Sequence, residues 1–136
     1  MADLSITAAN VLNSGGGGVA QGTAGASITA GQTVYLDSAT TTIKLADANL
    51  SSAASTVVGI ALHAASSGQP ILYQTDGVIT LGSVLTAGLI YVNSATAGAI
   101  APSADLTSTW RTSILGVALT SSTLKLNIVN SDTALS

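Results

Sequence analysis

Residues 29–40 read Thr29-Ala30-Gly31-Gln32-Thr33-Val34-Tyr35-Leu36-Asp37-Ser38-Ala39-Thr40, and residues 86–96 repeat them as Thr86-Ala87-Gly88-Leu89-Ile90-Tyr91-Val92-Asn93-Ser94-Ala95-Thr96. Two further pairs follow in the same order: Asn49-Leu50-Ser51 with Asp105-Leu106-Thr107, and Gly59-Ile60-Ala61-Leu62 with Gly116-Val117-Ala118-Leu119. The nearly constant spacing, as between Thr29 and Thr86 or Gly59 and Gly116, is typical of a repeated structural unit. The alternative is chance similarity in a biased composition. We predict two related halves, about 28–82 and 83–130, in which Tyr35 and Tyr91 are partners with a shared packing role.

The rest of the pattern predicts short β-strands separated by clusters of Gly, Asn, Asp and Ser. The predicted strands are Thr33–Leu36, Thr41–Leu45, Thr56–Leu62, Pro70–Thr75, Val78–Leu81, Leu89–Val92, Ala99–Ala101, Ser113–Leu119 and Thr123–Val129. The Asp76-Gly77 pair between two such runs predicts a β-hairpin. Many short strands at this spacing predict an all-β fold, either a small β-barrel or a β-sandwich.

Two of these strands alternate apolar and polar residues, which places Lys44 and Lys125 on solvent-facing sides. No long segment has a helical period. Single helical turns are expected at Asp47-Ala48-Asn49-Leu50 and at Ser103-Ala104-Asp105-Leu106, where capping residues occur.

Residues 1–27 form a Gly-rich N-terminal arm in this interpretation, and residues 28–136 form a single β domain. Leu4, Ile6 and Thr7 could make one short strand, and four consecutive glycines, Gly15–Gly18, follow. The segment is either a flexible terminus or an arm that becomes ordered on a neighbouring subunit. In the second case its apolar residues are candidate interface residues: Leu4, Ile6, Val11 and Leu12. A phosphate-binding loop is not expected, because no Lys-Ser/Thr pair follows the glycines.

The composition excludes several classes of protein. Only three residues are Lys or Arg, too few to neutralise a run of phosphates, so no nucleic-acid partner is expected. There is no Cys, hence no disulfide and no thiolate ligand. No apolar stretch approaches the roughly 20 residues of a membrane span, and no signal peptide is recognised, so we expect synthesis in a cytoplasm and no membrane partner.

The sequence offers little for catalysis. His63 is the only histidine, there is no Glu, and five of the six Asp lie in or beside turn clusters. We expect no catalytic residues, no metal site and no cofactor, so the protein is predicted not to be an enzyme. His63 is expected at a surface or loop edge.

Trp110 and Arg111 stand out because they lie where the two halves diverge. An exposed Trp beside an Arg is typical of an interface anchor. Capping of the core and ligand binding remain alternatives for Trp110. Both residues are therefore candidate interface residues.

Several of these motifs resemble those of tailed-phage capsid decoration, or cement, proteins. The resemblance covers roughly residues 28–129 and lies in Thr-Ala-Gly-x-x-Val-Tyr-Leu-Asp, Val57-Val58-Gly59-Ile60-Ala61-Leu62, Ala65-Ser66-Ser67-Gly68-Gln69-Pro70-Ile71 and Asp76-Gly77-Val78-Ile79. Members of that family are small, β-rich, often trimeric proteins on the outside of an icosahedral shell. The resemblance implies a structural virion protein on the capsid exterior, bound to the major capsid protein and to copies of itself, most often as a trimer. The alternative is a phage tail-fibre, spike or surface-adhesin module that binds host glycan.

Overall fold

The computed structural model describes residues 3–4, 6–13, 17–107 and 110–134, and β-strands dominate them. A short α-helix, α1 (Ser52–Ser55), and 3-10 turns at Ala8–Asn10 and Ser103–Asp105 accompany the strands. The strands are β1 (Leu12–Asn13), β2 (Val19–Thr23), β3 (Thr33–Asp37), β4 (Thr42–Leu45), β5 (Gly59–Ala61), β6 (Pro70–Gln74), β7 (Asp76–Thr80), β8 (Ile90–Asn93), β9 (Ile100–Pro102), β10 (Arg111–Ala118) and β11 (Thr123–Ala134).

The strands form two antiparallel sheets. The five-stranded sheet has the order β2-β6-β5-β3-β4, and the six-stranded sheet has the order β1-β7-β11-β10-β8-β9. Each of the nine predicted strands overlaps an observed one, and the predicted all-β class is confirmed. Leu4, Ile6 and Thr7 lie outside any strand, so the short strand predicted there is wrong.

The predicted helical turns have mixed outcomes. A 3-10 turn is present at Ser103–Asp105, as expected. The segment at 47–50 contains only a hydrogen-bonded turn, and α1 begins just after it. Ser51 caps α1, because its hydroxyl oxygen accepts a hydrogen bond from the Ala54 amide at 3.1 Å.

The hairpin predicted at Asp76-Gly77 is wrong. Gln74 ends β6 in the five-stranded sheet and Asp76 begins β7 in the other, so the chain changes sheets at Thr75. A tight turn of the predicted type needs positive φ at both residues, and here only Gly77 has it, at 79°. The Gln74 side chain secures the crossing by donating hydrogen bonds to the carbonyl oxygens of Asp76, at 2.8 Å, and Val78, at 3.1 Å.

The two sheets contain the same order of five strands. Strands β2, β6, β5, β3 and β4 occupy the same relative places as β7, β11, β10, β8 and β9. Val34 lies opposite Gly59 in the first sheet, and Tyr91 lies opposite Gly116 in the second, so Val34 corresponds to Tyr91 and Gly59 to Gly116. The offset between equivalent residues is 57 positions, from 34 to 91 and from 59 to 116, and it is called one repeat. Residues 19–75 are called unit 1, and residues 76–134 are called unit 2.

Hydrogen bonds recur at the same spacing. The Gly31 amide donates to the Ala61 carbonyl at 2.8 Å, and the Gly88 amide donates to the Ala118 carbonyl at 2.8 Å. The β3–β4 and β8–β9 connections also match, because side-chain oxygens of Asp37 and Ser94 each accept from the amide two residues later at 3.1 Å. The main-chain geometry therefore repeats together with the sequence.

This register corrects the pairing of the two tyrosines. Tyr91 corresponds to Val34, and Tyr35 corresponds to Val92. Tyr91 is buried and Tyr35 is half-buried. Adjacent strand residues point to opposite faces, so the two rings are not equivalent in the repeat, although both contact the larger apolar cluster.

The predicted arm takes part in both sheets. Leu12 of β1 lies opposite Thr80 at the edge of the six-stranded sheet, and β2 is the edge strand beside β6. Strands β2 and β7 lie one repeat apart, so the strand equivalent to β7 begins at Val19, within the segment 1–27. Gly15 and Gly16 lie outside the described residues.

The buried apolar side chains of the described residues form two clusters. The smaller lies in unit 1 and comprises Ala24, Ile28, Val34, Ile43, Ala61, Ala65 and Ile71. Five of these residues have equivalents one repeat later in the larger cluster: Leu81, Leu85, Tyr91, Ile100 and Ala118. Full burial of each such aliphatic side chain contributes about 1.5–3 kcal/mol to the free energy of unfolding.

Unit 1 also contributes to the larger cluster, through Ala30, Ala46, Val57 and Ile60. Polar contacts accompany this packing. The Thr33 hydroxyl donates to Asn93 Oδ1 at 2.7 Å, and the Thr33 amide donates to the Gly98 carbonyl at 3.0 Å. The two units are thus joined where one face of unit 1 meets the β8–β9 turn of unit 2, and also where Ala48 and Val57 of unit 1 bond to Arg111 of β10 and Asn130 of β11.

Candidate functional site

An exposed apolar surface lies on the outer side of the six-stranded sheet. It contains a groove of about 330 Å³ lined by Ile114, Gly116, Val117, Leu119, Lys125, Asn127 and Val129. Val117 is 42 % exposed, Leu119 51 % and Val129 54 %. Ile90 lies opposite Val117 in β8 and extends the surface. Clustered apolar side chains on an exposed sheet face are typical of interaction surfaces.

Strand β11 gives this surface its outer polar residues. Leu124 and Leu126 are buried while Lys125 and Asn127 are exposed, so the strand alternates with period two. The solvent-facing position predicted for Lys125 is confirmed. Lys44 in β4 is half-buried, next to the buried Ile43.

The sequence did not single out this surface. Residues 114–119 form an almost continuous apolar run, which favours a strand buried on both faces. The structure buries Leu115 and Ala118 but leaves Val117 and Leu119 exposed. The sequence alignment that matches Tyr35 with Tyr91 hides the signal, because it places Ile90 opposite the apolar Val34. In the register of the structure, Ile90 takes the place of the polar Thr33.

Three of the predicted interface residues pack against the protein itself. Val11 is 5 % exposed and belongs to the larger cluster, so it offers almost no surface to a partner. Leu4 and Ile6 are half-buried against the same cluster. The Leu4 amide donates a hydrogen bond to the Ile100 carbonyl at 2.8 Å, which fixes the N-terminal segment there.

The other three predicted interface residues lie apart from one another. Leu12 is 61 % exposed on the edge strand β1. Trp110 and Arg111 are half-buried, and the Arg111 amide donates to the Ala48 carbonyl at 2.7 Å. Neither residue lines the apolar groove. The six predicted residues therefore do not form one surface.

Trp110 lines a separate open depression of about 540 Å³. Its other lining residues are Asp3, Ser94, Thr96, Ala104, Asp105 and Thr107. The Ser94 hydroxyl donates to Asp3 Oδ1 at 2.6 Å. An aromatic ring among carboxylates and hydroxyls offers a stacking face together with polar groups that can orient a ligand.

His63 has a structural role at the end of β5. Its Nε2 accepts a hydrogen bond from the Leu72 amide at 3.1 Å, so its Nδ1 carries the proton and faces the Ala64 carbonyl at 2.9 Å. Both ring nitrogens thus hold the connection between β5 and β6. Among the described residues, no group of His and Asp side chains could hold a metal ion.

Asp37 and Lys44 form a salt bridge across β3 and β4, with Nζ and Oδ2 2.7 Å apart. The hydrogen bond from Lys44 lowers the pKa of Asp37, and the amide of Ala39 adds to the effect. The same hydrogen bond raises the pKa of Lys44. The pair is partly exposed and neutralises the turn that carries Asp37.

No protein-family model matches the sequence, and no curated protein matches it at a significant level. In the described part of the chain, no helix is both long and apolar enough to cross a membrane.

Proposed function

We propose that this chain is a structural virion protein that binds the outer surface of a phage capsid and stabilises the head lattice. The observation that carries the proposal is the apolar outer face of the six-stranded sheet, where Val117, Leu119 and Val129 are about half exposed. Such a face suits a protein that works packed against neighbours. The motif resemblance names the neighbours: the major capsid protein and other copies of this chain, with a trimer expected.

The proposal includes a finer account of the fold. The larger cluster takes Ile60 from the five-stranded sheet and Tyr91 and Leu124 from the six-stranded sheet. This mixture supports a β-sandwich rather than one closed barrel. The recurring strand order and hydrogen bonds support an internal duplication. No catalytic role is assigned to any residue.

A binding experiment tests this function. Heads of the source phage prepared without the protein are incubated with the purified full-length chain, and bound protein is measured after sedimentation of the particles. We expect saturable binding at a symmetry fraction of the capsid copies, and heads that disassemble at a higher temperature. Absence of binding, or binding without stabilisation, contradicts the proposal.

The depression around Trp110 favours a second candidate function, the binding of host glycan on the virion surface. Trp110 is the only Trp in the chain, so its fluorescence reports directly on this depression. A saturable fluorescence change with host surface polysaccharide supports glycan binding, provided that titration calorimetry shows the binding to be lost in a Trp110→Ala variant that still binds heads. An unchanged spectrum contradicts it.

A further inference from the structure

Several residues that are buried in the contact between the two units have equivalents one repeat away that are exposed. Three fully buried side chains of unit 1 take part in the contact: Thr33, Ala46 and Ile60. Their equivalents in unit 2, one repeat later, are Ile90, Ser103 and Val117. Ile90 is 41 % exposed, Val117 is 42 % exposed, and Ser103 is half-buried. These three residues are called the Ile90 face.

Residues that unit 2 contributes to the contact are buried, and their equivalents in unit 1 are more exposed. Part of the unit 2 side is the end of β8 and the β8–β9 turn, where Asn93 and Ser94 are buried. The equivalent turn of unit 1, residues 36–41, carries Leu36 at 48 % exposure and ends at the exposed Thr41. This segment is called the Leu36 turn. Both turns have the same shape, because the last residue has positive φ in each, 56° at Thr41 and 77° at Gly98.

The chemistry of the two surfaces changes together. Inside the chain, the Thr33 hydroxyl is bonded to Asn93 Oδ1, so a polar residue meets a polar residue. The equivalents of these two residues are Ile90 and Leu36, which are both aliphatic and both exposed. Ile90 and Leu36 therefore form an exposed apolar pair at the positions equivalent to the polar pair Thr33 and Asn93. Burial of such a pair is favourable without any directed hydrogen bond.

We propose that the Ile90 face of one copy binds the Leu36 turn of a second copy, in the same arrangement that joins unit 1 to unit 2. The charges permit this contact, since Asp37 in the turn is already neutralised by Lys44. The contact joins two different surfaces, so it is head-to-tail and closes into a ring when the rotation between copies allows. The inference rests on the self-association within the proposed function but needs no capsid, so the two can fail separately.

The test is sedimentation velocity on the full chain, comparing the wild type with Ile90→Lys and Leu36→Lys at about 100 µM. The wild type is expected to be an oligomer and each variant a monomer, with association weakened about 30-fold or more. Mixing the two variants leaves one intact contact, between the Ile90 face of one and the Leu36 turn of the other. The mixture is therefore expected to form a dimer that neither variant forms alone.

Two controls keep the test decisive. Leu50→Lys changes a side chain that is 69 % exposed and lies outside both surfaces, and it should leave the oligomer unchanged. An Ile90→Asp, Leu36→Lys double variant should associate again through the new charge pair. A monomeric wild type, an oligomer that survives either single variant, or a mixture that stays monomeric overturns the proposal.

Discussion

Thr41 and Gly98 occupy the same turn position in the two units, and both have positive φ. A β-branched residue in this region is strained by about 1–2 kcal/mol, whereas glycine is not. The loss of chain entropy on folding is greater for glycine by about 0.5–1 kcal/mol, which offsets part of the gain. We expect Thr41→Gly to raise the free energy of unfolding by about 0.5–1 kcal/mol, as measured by urea denaturation. The reciprocal Gly98→Thr variant should be less stable than the wild type, and a stable one would contradict this account.

Gly59 and Gly116 are equivalent residues that lie tightly against a neighbouring strand. A Cβ on Gly59 would come within 2.5 Å of the Gln74 carbonyl oxygen, and one on Gly116 would overlap that of Lys125. We expect Gly116→Ala to lower the free energy of unfolding by about 2–4 kcal/mol, because the main chain must move. Gly68→Ala is the matched control, since its Cβ would meet nothing within 4 Å and only its φ of 89° is strained. Equal losses for both variants would contradict the packing argument.

The Asp37–Lys44 pair makes stability depend on pH in a defined direction. The pKa of Asp37 is lowered from its ordinary 3.8, so its contribution is present at neutral pH and is lost as the pH falls through the lowered value. The raised pKa of Lys44 preserves its contribution until strongly alkaline pH. Lys44→Met should therefore show a smaller drop in Tm than the wild type between about pH 6 and pH 3. Lys125→Met controls for the loss of a charge, and an identical drop in the Lys44 variant would refute the effect.

At the scale of elements, the local pattern of apolar and turn residues predicts where the strands lie but not which strands pair. Alternation in β11 and the runs around Ile43 and Ile60 depend on neighbouring residues, and these strands formed as expected. The Asp76-Gly77 signal is equally local, yet β6 pairs with β2 and β5, and β7 pairs with β11. Pairing over long sequence separations is decided by the packing of whole faces. The sequence alignment that matches Tyr35 with Tyr91 is wrong by one residue, because it follows local identity, whereas strand pairing matches Tyr91 with Val34.

Strand β2 is the element whose loss should be felt most in the N-terminal segment. It covers the edge of β6, and Ala24 after it is 1 % exposed in the smaller cluster. A chain that begins at Ala26 should be less stable than one that begins at Gly17 by about 3 kcal/mol or more, as measured by urea denaturation. Equal stability of the two truncated chains would restore the interpretation of residues 19–25 as a free arm.

At the scale of the whole molecule, the sequence predicts a protein that associates through its surface, and the structure removes Val11 from the residues named for that surface. Val11 was chosen for its hydrophobicity alone, and the structure buries it. The exposure of Ile90 and Val117 could not be predicted, because it depends on which sheet covers which face, a property of tertiary packing. The repeat supplies the missing information, since equivalent residues differ in burial only where a neighbour is present or absent.

The central proposal is that this chain coats a phage head. The most direct measurement is its copy number in purified virions, determined by mass spectrometry against the major capsid protein. The account predicts a ratio near one to one, or a simple symmetry fraction of it. A handful of copies per particle would place the chain in the tail or a fibre, and its absence from particles would contradict a virion role altogether.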